Sequence, residues 1–276
     1  MLAEGQHTSG KPSLPSRLTF EERYERCQNP LLKKLYKIII DKKSILCLAA
    51  DFTSRESVIK VVHAVGPHIC ILKLHTEFFE IDCPNLRDLR ESLWHLSRKY
   101  NFLIFEDRKF YYEATIMELA FRNIVRYVDL VTVIPVSDDI FDAIEKVALE
   151  DPKNGPKGCL AVCELSFKNN ALAAKEIYCS VASRHPGICC GIIAQSTGGL
   201  DPINFITATP GINISQKTDG TGQNWRGPEE AMADGTDILI VGRGITMGPE
   251  DSWEPRAKMY KEMAFEAYIK QVTRES

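Results

Sequence analysis

The stretch Phe102-Leu103-Ile104-Phe105-Glu106-Asp107-Arg108-Lys109-Phe110 carries four apolar residues straight into a carboxylate and an ammonium two positions apart. Residues 102–105 read as a buried strand. Alternate residues of a strand share a face, so Asp107 and Lys109 are expected to project side by side beyond its C-terminal end. An isolated pair of this kind is ordinarily a solvated ion pair contributing ~0–1 kcal/mol. The rest of the chain argues for more, because short apolar runs closed by polar residues recur along it.

Residues 45–50, 69–74, 130–133, 160–163, 191–194, 205–209 and 238–241 form seven further runs of this type. Helical spacing fills most of the intervals, at 55–65, 86–99, 113–126, 140–149, 172–183 and 228–233, and an amphipathic helix over 253–272 closes the pattern. No helix is evident between the sixth and seventh runs. Strands that are apolar on both faces and alternate with helices indicate a parallel sheet covered on its outside. The count of eight predicts an α/β fold of the (β/α)8 TIM barrel type, with a doubly wound open sheet as the alternative. Residues 13–40 predict a helical N-terminal extension, with Arg23, Arg26 and Lys33 polar against Tyr24, Leu31, Leu32 and Leu35, laid across the barrel bottom. Residues 1–17, polar and rich in Gly, Pro and Ser, read as a disordered leader, and 18–276 as a single barrel domain.

With 276 residues and 44% hydrophobic content, the chain can bury one large core. A formal net charge of −3 provides no basic field for nucleic acid. No run approaches the ~20 apolar residues of a membrane span, so a soluble protein with no membrane or nucleic-acid partner is expected. Nine cysteines, an odd number without a C-x-x-C pair, read as reduced, buried thiols and point to a cytoplasmic protein.

In such a barrel, chemistry collects where the strands end. Those ends supply Asp51, Lys73 with His75, Asp107 with Lys109, Glu164 with Ser166, Gln195, the turn Thr209-Pro210-Gly211, and Gly242-Arg243-Gly244. A lysine inside an apolar strand, as Lys73 is, is costly unless carboxylates surround it, and Asp51 and Asp107 are the natural partners. The Gly-rich segment 215–227 and the Gly-Arg-Gly turn follow strands seven and eight, where this fold seats phosphate; Arg243 and Gln223 are the candidate donors. His75 with Glu77 has only half of a metal ligand set, so no metal is assigned.

The segments LCLAADFTSRESV (46–58), GPHICILKLH (66–75), KYNFLIFEDRKF (99–110), CELSFK (163–168), GIIAQ (191–195), TPGINISQKTDGTGQNWR (209–226) and DILIVGRG (237–244) occur in one order. With them the chain resembles the orotidine 5′-phosphate decarboxylase family, eukaryotic type, over about residues 19–271. The resemblance implies a barrel, a homodimer with active sites at the subunit interface, and no metal or organic cofactor. It also implies decarboxylation of orotidine 5′-phosphate to UMP in pyrimidine biosynthesis. Lys109 would then donate the proton that replaces carbon dioxide, and Asp107 would crowd the substrate carboxylate. Asp51 and Lys73 would bind the ribose and support the charge network. Ser166 would bind the pyrimidine edge, and Gln223, Trp225, Gly242 and Arg243 the phosphate. His75, Thr115 and Pro210 are further candidate substrate-binding residues.

The chain departs from the family at three places. Tyr112 stands where a second aspartate is expected, Trp225 replaces a usual tyrosine, and Thr132-Val133-Ile134 replaces Asn-Ala-His, with the segment 116–133 shortened. A tyrosine with a reference pKa of ~10 cannot act as a carboxylate at neutral pH, and Glu113 is the nearest candidate replacement. Three further readings therefore stand beside the first. They are a paralog decarboxylating another carboxylated substrate in a specialised pathway, a non-catalytic nucleotide-binding relative, and a metal-dependent relative from the phosphosugar branch of the superfamily.

Overall fold

The computed structural model describes residues 17–79, 86–165, 175–214 and 225–273. The apolar runs become eight short strands: β1 (Leu46–Ala49), β2 (Ile71–Leu74), β3 (Leu103–Phe110), β4 (Leu130–Val133), β5 (Gly158–Val162), β6 (Cys189–Ile193), β7 (Ile206–Thr209) and β8 (Ile238–Val241). Each pairs in parallel with the next, and β8 pairs back onto β1, so the sheet closes into a barrel and the open-sheet alternative falls. The register sets Ala49 beside Lys73 and Lys73 beside Phe105, which brings the polar residues ending β1, β2 and β3 to one rim. At β6 the wall is so close that a Cβ on Gly191 would stand 2.0 Å from the carbonyl oxygen of Ile206, so only glycine fits.

The helices are α1 (Phe20–Arg26), α2 (Pro30–Lys42), α3 (Arg55–Val65), α4 (Leu86–Tyr100), α5 (Ala114–Arg122), α6 (Asp139–Glu150), α7 (Lys175–Ser183), α8 (Pro228–Ala233), α9 (Arg243–Thr246) and α10 (Trp253–Val272). In α10 the buried residues Trp253, Ala257, Tyr260, Ala264, Ala267 and Tyr268 recur every three or four positions, the spacing of one helical face. No helix joins β6 to β7 among the described residues, as the polar interval predicts. Helix α5 ends at Arg122, four residues short of expectation, because the chain turns there to bury Ile124, Val125 and Val128 on the way into β4. None of the described helices is long and apolar enough to cross a membrane. The eight described cysteines are all free and buried; Cys83 lies outside the described residues.

The N-terminal extension folds as α1 and α2. A capping box of Thr19 and Glu22 starts the first, and the Asn29 side chain starts the second by accepting from the N–H groups of Leu31 and Leu32. Both helices cover the barrel bottom. Asn29 Nδ2 donates to the carbonyls of Pro186 (2.9 Å) and Gly187 (3.1 Å) ahead of β6, and Lys34 pairs with Asp129 (2.9 Å) ahead of β4.

One expectation is corrected here. Arg23, read as part of a polar face, is 1% exposed, because its guanidinium bonds Asp237 ahead of β8, the hydroxyl of Tyr36 and the carbonyl of Phe205. Burial works to raise the pKa of Asp237, yet the Arg23 and Arg17 guanidiniums beside it hold it below the usual carboxylate range. Of the segment expected as a leader, residues 1–16 lie outside the described residues, and Arg17 is bonded to Asp237 and to the carbonyl of Thr236.

Candidate active site

The strand ends enclose a cavity of about 300 Å³ lined by Asp51, Lys73, His75, Asp107, Lys109 and Glu164 together with Pro210, Trp225, Gly242 and Arg243. Its charged wall is built on β1, β2 and β3. Lys73 Nζ lies 2.9 Å from Asp107 Oδ2 and 3.7 Å from Asp51 Oδ1, and Lys109 Nζ lies 2.8 Å from Asp107 Oδ1. The carboxylate of Asp107 is thus held by one ammonium on each oxygen. Burial opposes its charge, but Lys73 and Lys109 together drive its pKa far below the usual carboxylate range. Burial also opposes the charge on Lys73, and Asp107 and Asp51 raise it above the ordinary lysine value. At neutral pH this wall is an alternating row of fixed charges.

The expected side-by-side placement of Asp107 and Lys109 is present, but regular strand alternation alone does not produce it. β3 runs on to Phe110, its pairing with β4 shifts register between Glu106 and Phe110, and Lys109 takes a left-handed φ of 50°. Such a conformation costs a non-glycine residue of order ~1–3 kcal/mol and persists only where its surroundings enforce it. Thr132 of β4 does so. Its hydroxyl accepts from the backbone N–H of Lys109 (2.7 Å) and donates to Asp107 Oδ1 (2.8 Å), tying both residues to the neighbouring strand. In the sequence Thr132 figured only as a departure, since an uncharged residue in an apolar run gives no signal of a polar contact; its place near the end of β4, the strand beside β3, is the clue that was there.

Arg243, just after β8, adds a further cation to the cavity lining. The guanidinium of Arg243 sits over the Trp225 ring, 4.9 Å from its centroid, so the tryptophan braces the cation through its face. Trp225 is itself positioned by a bridge between Ile212 and Arg226, where Asn213 N–H donates to the carbonyl of Arg226 and Arg226 N–H to that of Gly211. Tyr260 of α10 packs beneath: its hydroxyl accepts from the N–H of Ile214 (3.0 Å) and would stand 2.3 Å from a Cβ on Gly244, so glycine is required next to Arg243.

Ser166 and Gln223 fall outside the described residues. Thr115 lies exposed in the first turn of α5 and does not line the cavity. Glu113 is the exposed N-cap position of α5, and Tyr112, 40% exposed, stacks on Tyr111; neither lines the cavity. Glu164, noted in the sequence without a role, does line it, and accepts from the N–H of Gln195 and pairs with Lys175.

Residues 44–256 match the model of the orotidine 5′-phosphate decarboxylase / HUMPS family. The chain is 31% identical over 266 residues to orotidine 5′-phosphate decarboxylase of Candida glabrata, covering 93% of this chain and 99% of that one. It is 32% identical over 274 residues to uridine 5′-monophosphate synthase of Naegleria gruberi, covering 96% of this chain but only 55% of that longer protein. In fold it is similar to the crystal structure of orotidine 5′-phosphate decarboxylase from Pyrococcus horikoshii, with a TM-score of 0.61 at 20% identity over 79% of this chain and 98% of that one. The structure of UMP synthase from Leishmania donovani is similar too, with a TM-score of 0.64 at 15% identity over 88% of this chain and 57% of that one. With the family model spanning most of the barrel and with relatives above 30% identity along nearly its whole length, the chain belongs to the orotidine 5′-phosphate decarboxylase / HUMPS family.

Proposed function

We propose that this protein is a carboxy-lyase that converts orotidine 5′-phosphate to UMP and carbon dioxide in pyrimidine biosynthesis, with Lys109 as proton donor. The observation that carries the reading is the Asp107 carboxylate fixed between Lys73 and Lys109 in a cavity that Arg243 also lines. A phosphate held at Arg243 sets the pyrimidine against the charged wall, with the substrate carboxylate beside Asp107. The bond from C6 to that carboxylate breaks, carbon dioxide leaves, and the electron pair stays on C6. The ammonium of Lys109 stabilises the growing negative charge and passes a proton to it. Because the charge exists only along the reaction, a pre-positioned ammonium favours the transition state over the ground state.

The reading extends to a cytoplasmic homodimer. Tyr111, Ile116 and Leu119 expose apolar surface along and just before α5, and a second copy packed on this face brings Tyr112 and Thr115 towards the neighbouring cavity. The test is the loss of orotidylate absorbance on purified protein, run beside Lys109→Ala and Tyr112→Asp. Turnover by the unsubstituted chain that disappears in Lys109→Ala is the expected result; turnover that survives the alanine removes Lys109 from the mechanism. Failure of the unsubstituted chain on orotidylate, with Tyr112→Asp active, locates the departure at Tyr112.

A further inference from the structure

The ammonium of Lys73 has a third neighbour besides its two carboxylates. Nε2 of His75 lies 2.8 Å from Lys73 Nζ, and Nδ1 of the same ring lies 2.9 Å from Glu77 Oε1. An ammonium has donors only, so the first contact requires a lone pair on Nε2, which places the ring proton on Nδ1, where the Glu77 carboxylate accepts it. The groups around His75 are consistent with this state. Lys73 comes from β2, Glu77 from the turn after it, and Asp107 Oδ2 from β3, 3.4 Å from Nε2. Asp51 stands beyond Lys73, and Arg108 behind Glu77, with Nε 3.7 Å from Glu77 Oε2. The Phe78 ring stacks on the imidazole at 5.1 Å and confines its plane. A proton on Nε2 instead would point at Lys73 or compete with it for Asp107.

The turn that carries Glu77 is itself tied down. Behind it, the fully buried Glu106 accepts from the N–H and hydroxyl of Thr76 and from Nε of Arg108, which ties the turn carrying Glu77 to β3. The carboxylate is therefore set on a braced turn, outside the lining of the cavity.

We propose that Glu77 is a positioning residue: it fixes the Nδ1–H tautomer of His75, whose Nε2 then holds Lys73 in line with Asp107. The effect on turnover rests on the proposed decarboxylation, whereas the effect on the tautomer does not. The experiment pairs the two. Long-range ¹H–¹⁵N spectra of the six histidines, with His75→Gln to assign the signal, report the tautomer at neutral pH; kcat and KM on orotidylate are measured in parallel on Glu77→Met and Glu77→Gln.

The expected result is Nδ1 protonated in the unsubstituted protein and mixed tautomers in Glu77→Met. With this, kcat falls about tenfold while KM holds within about twofold, since losing a hydrogen bond to a charged group costs ~1.5–3 kcal/mol, roughly a factor of ten or more. Glu77→Gln, which keeps an acceptor but no charge, falls between. Nε2 protonated in the unsubstituted protein overturns the proposal, as does a kcat that changes without the tautomer or a tautomer that changes without kcat. If the unsubstituted protein does not turn over orotidylate, the proposed substrate fails and the spectra alone decide the role of Glu77.

Discussion

At the scale of single residues, the site depends on how Asp107 is held. Thr132 is the hydroxyl that donates to it, and Thr132→Val removes a group that serves both Asp107 and the Lys109 backbone. Leaving these groups without their partner costs ~1–3 kcal/mol, so a lower melting temperature and roughly tenfold slower turnover are expected from thermal unfolding and initial rates. The charge on Asp107 has its own signature in pH. Its folded pKa is depressed, so it contributes stability in full above the unfolded value of ~3.9 and loses it as pH falls through the folded value. Lys73, raised when folded, contributes in full below ~10.4 and loses it above. The gap in melting temperature between the unsubstituted protein and Asp107→Asn should be flat from about pH 5 to 8 and narrow below about pH 4. A gap that widens in acid would show that Asp107 is not the stabilised anion. The charged residues Asp51, Lys73, Asp107 and Lys109 were legible in sequence because a charge next to an apolar run stands out. Thr132 and the buried Arg23 were not: one carries no charge, and the partner of the other is 214 positions away.

At the scale of elements, β4 and β8 have the bounds their apolar runs predict: Ile238–Val241 is bordered by Asp237 and Gly242, and Leu130–Val133 begins after Asp129 and stops one residue before Ile134-Pro135, where a proline cannot donate to the sheet. β3 was read as ending at Phe105, where the apolar run stops; the structure carries it on to Phe110 by burying Glu106 and Asp107 among cations and hydroxyl groups. The attachment of α1 and α2 is likewise electrostatic at its centre. Removing one member of a buried ion pair typically costs ~3–5 kcal/mol, so Arg23→Met should lower the melting temperature by about 6–15 °C. Arg23→Met with Asp237→Leu should recover part of this loss, since the buried carboxylate left with Arg17 alone is gone. Calorimetry of the three proteins checks the order, and an additive double variant would show that the two residues act independently.

For the whole molecule, closure of the barrel leaves no free sheet edge, so association must use side-chain surface. The exposed face of α5 is the contact of the proposed homodimer: on that proposal Leu119→Asp should give a monomer in sedimentation and reduce turnover, while an unsubstituted protein that already sediments as a monomer overturns the dimer, and turnover unchanged in a monomeric variant would make each barrel self-sufficient. The floor of the barrel has a further consequence, in the order in which the polypeptide is made. Arg23, Asn29 and Lys34 are synthesised early, yet their anchors wait at Asp237, at Pro186 and Gly187, and at Asp129. A nascent chain lacking β8 therefore carries a guanidinium built for burial with no carboxylate to receive it. The buried pair at the bottom and the Arg243 corner of the cavity at the top both depend on the last quarter of the chain, so during translation the protein acquires its structural closure and the last wall of its cavity in the same stretch of synthesis.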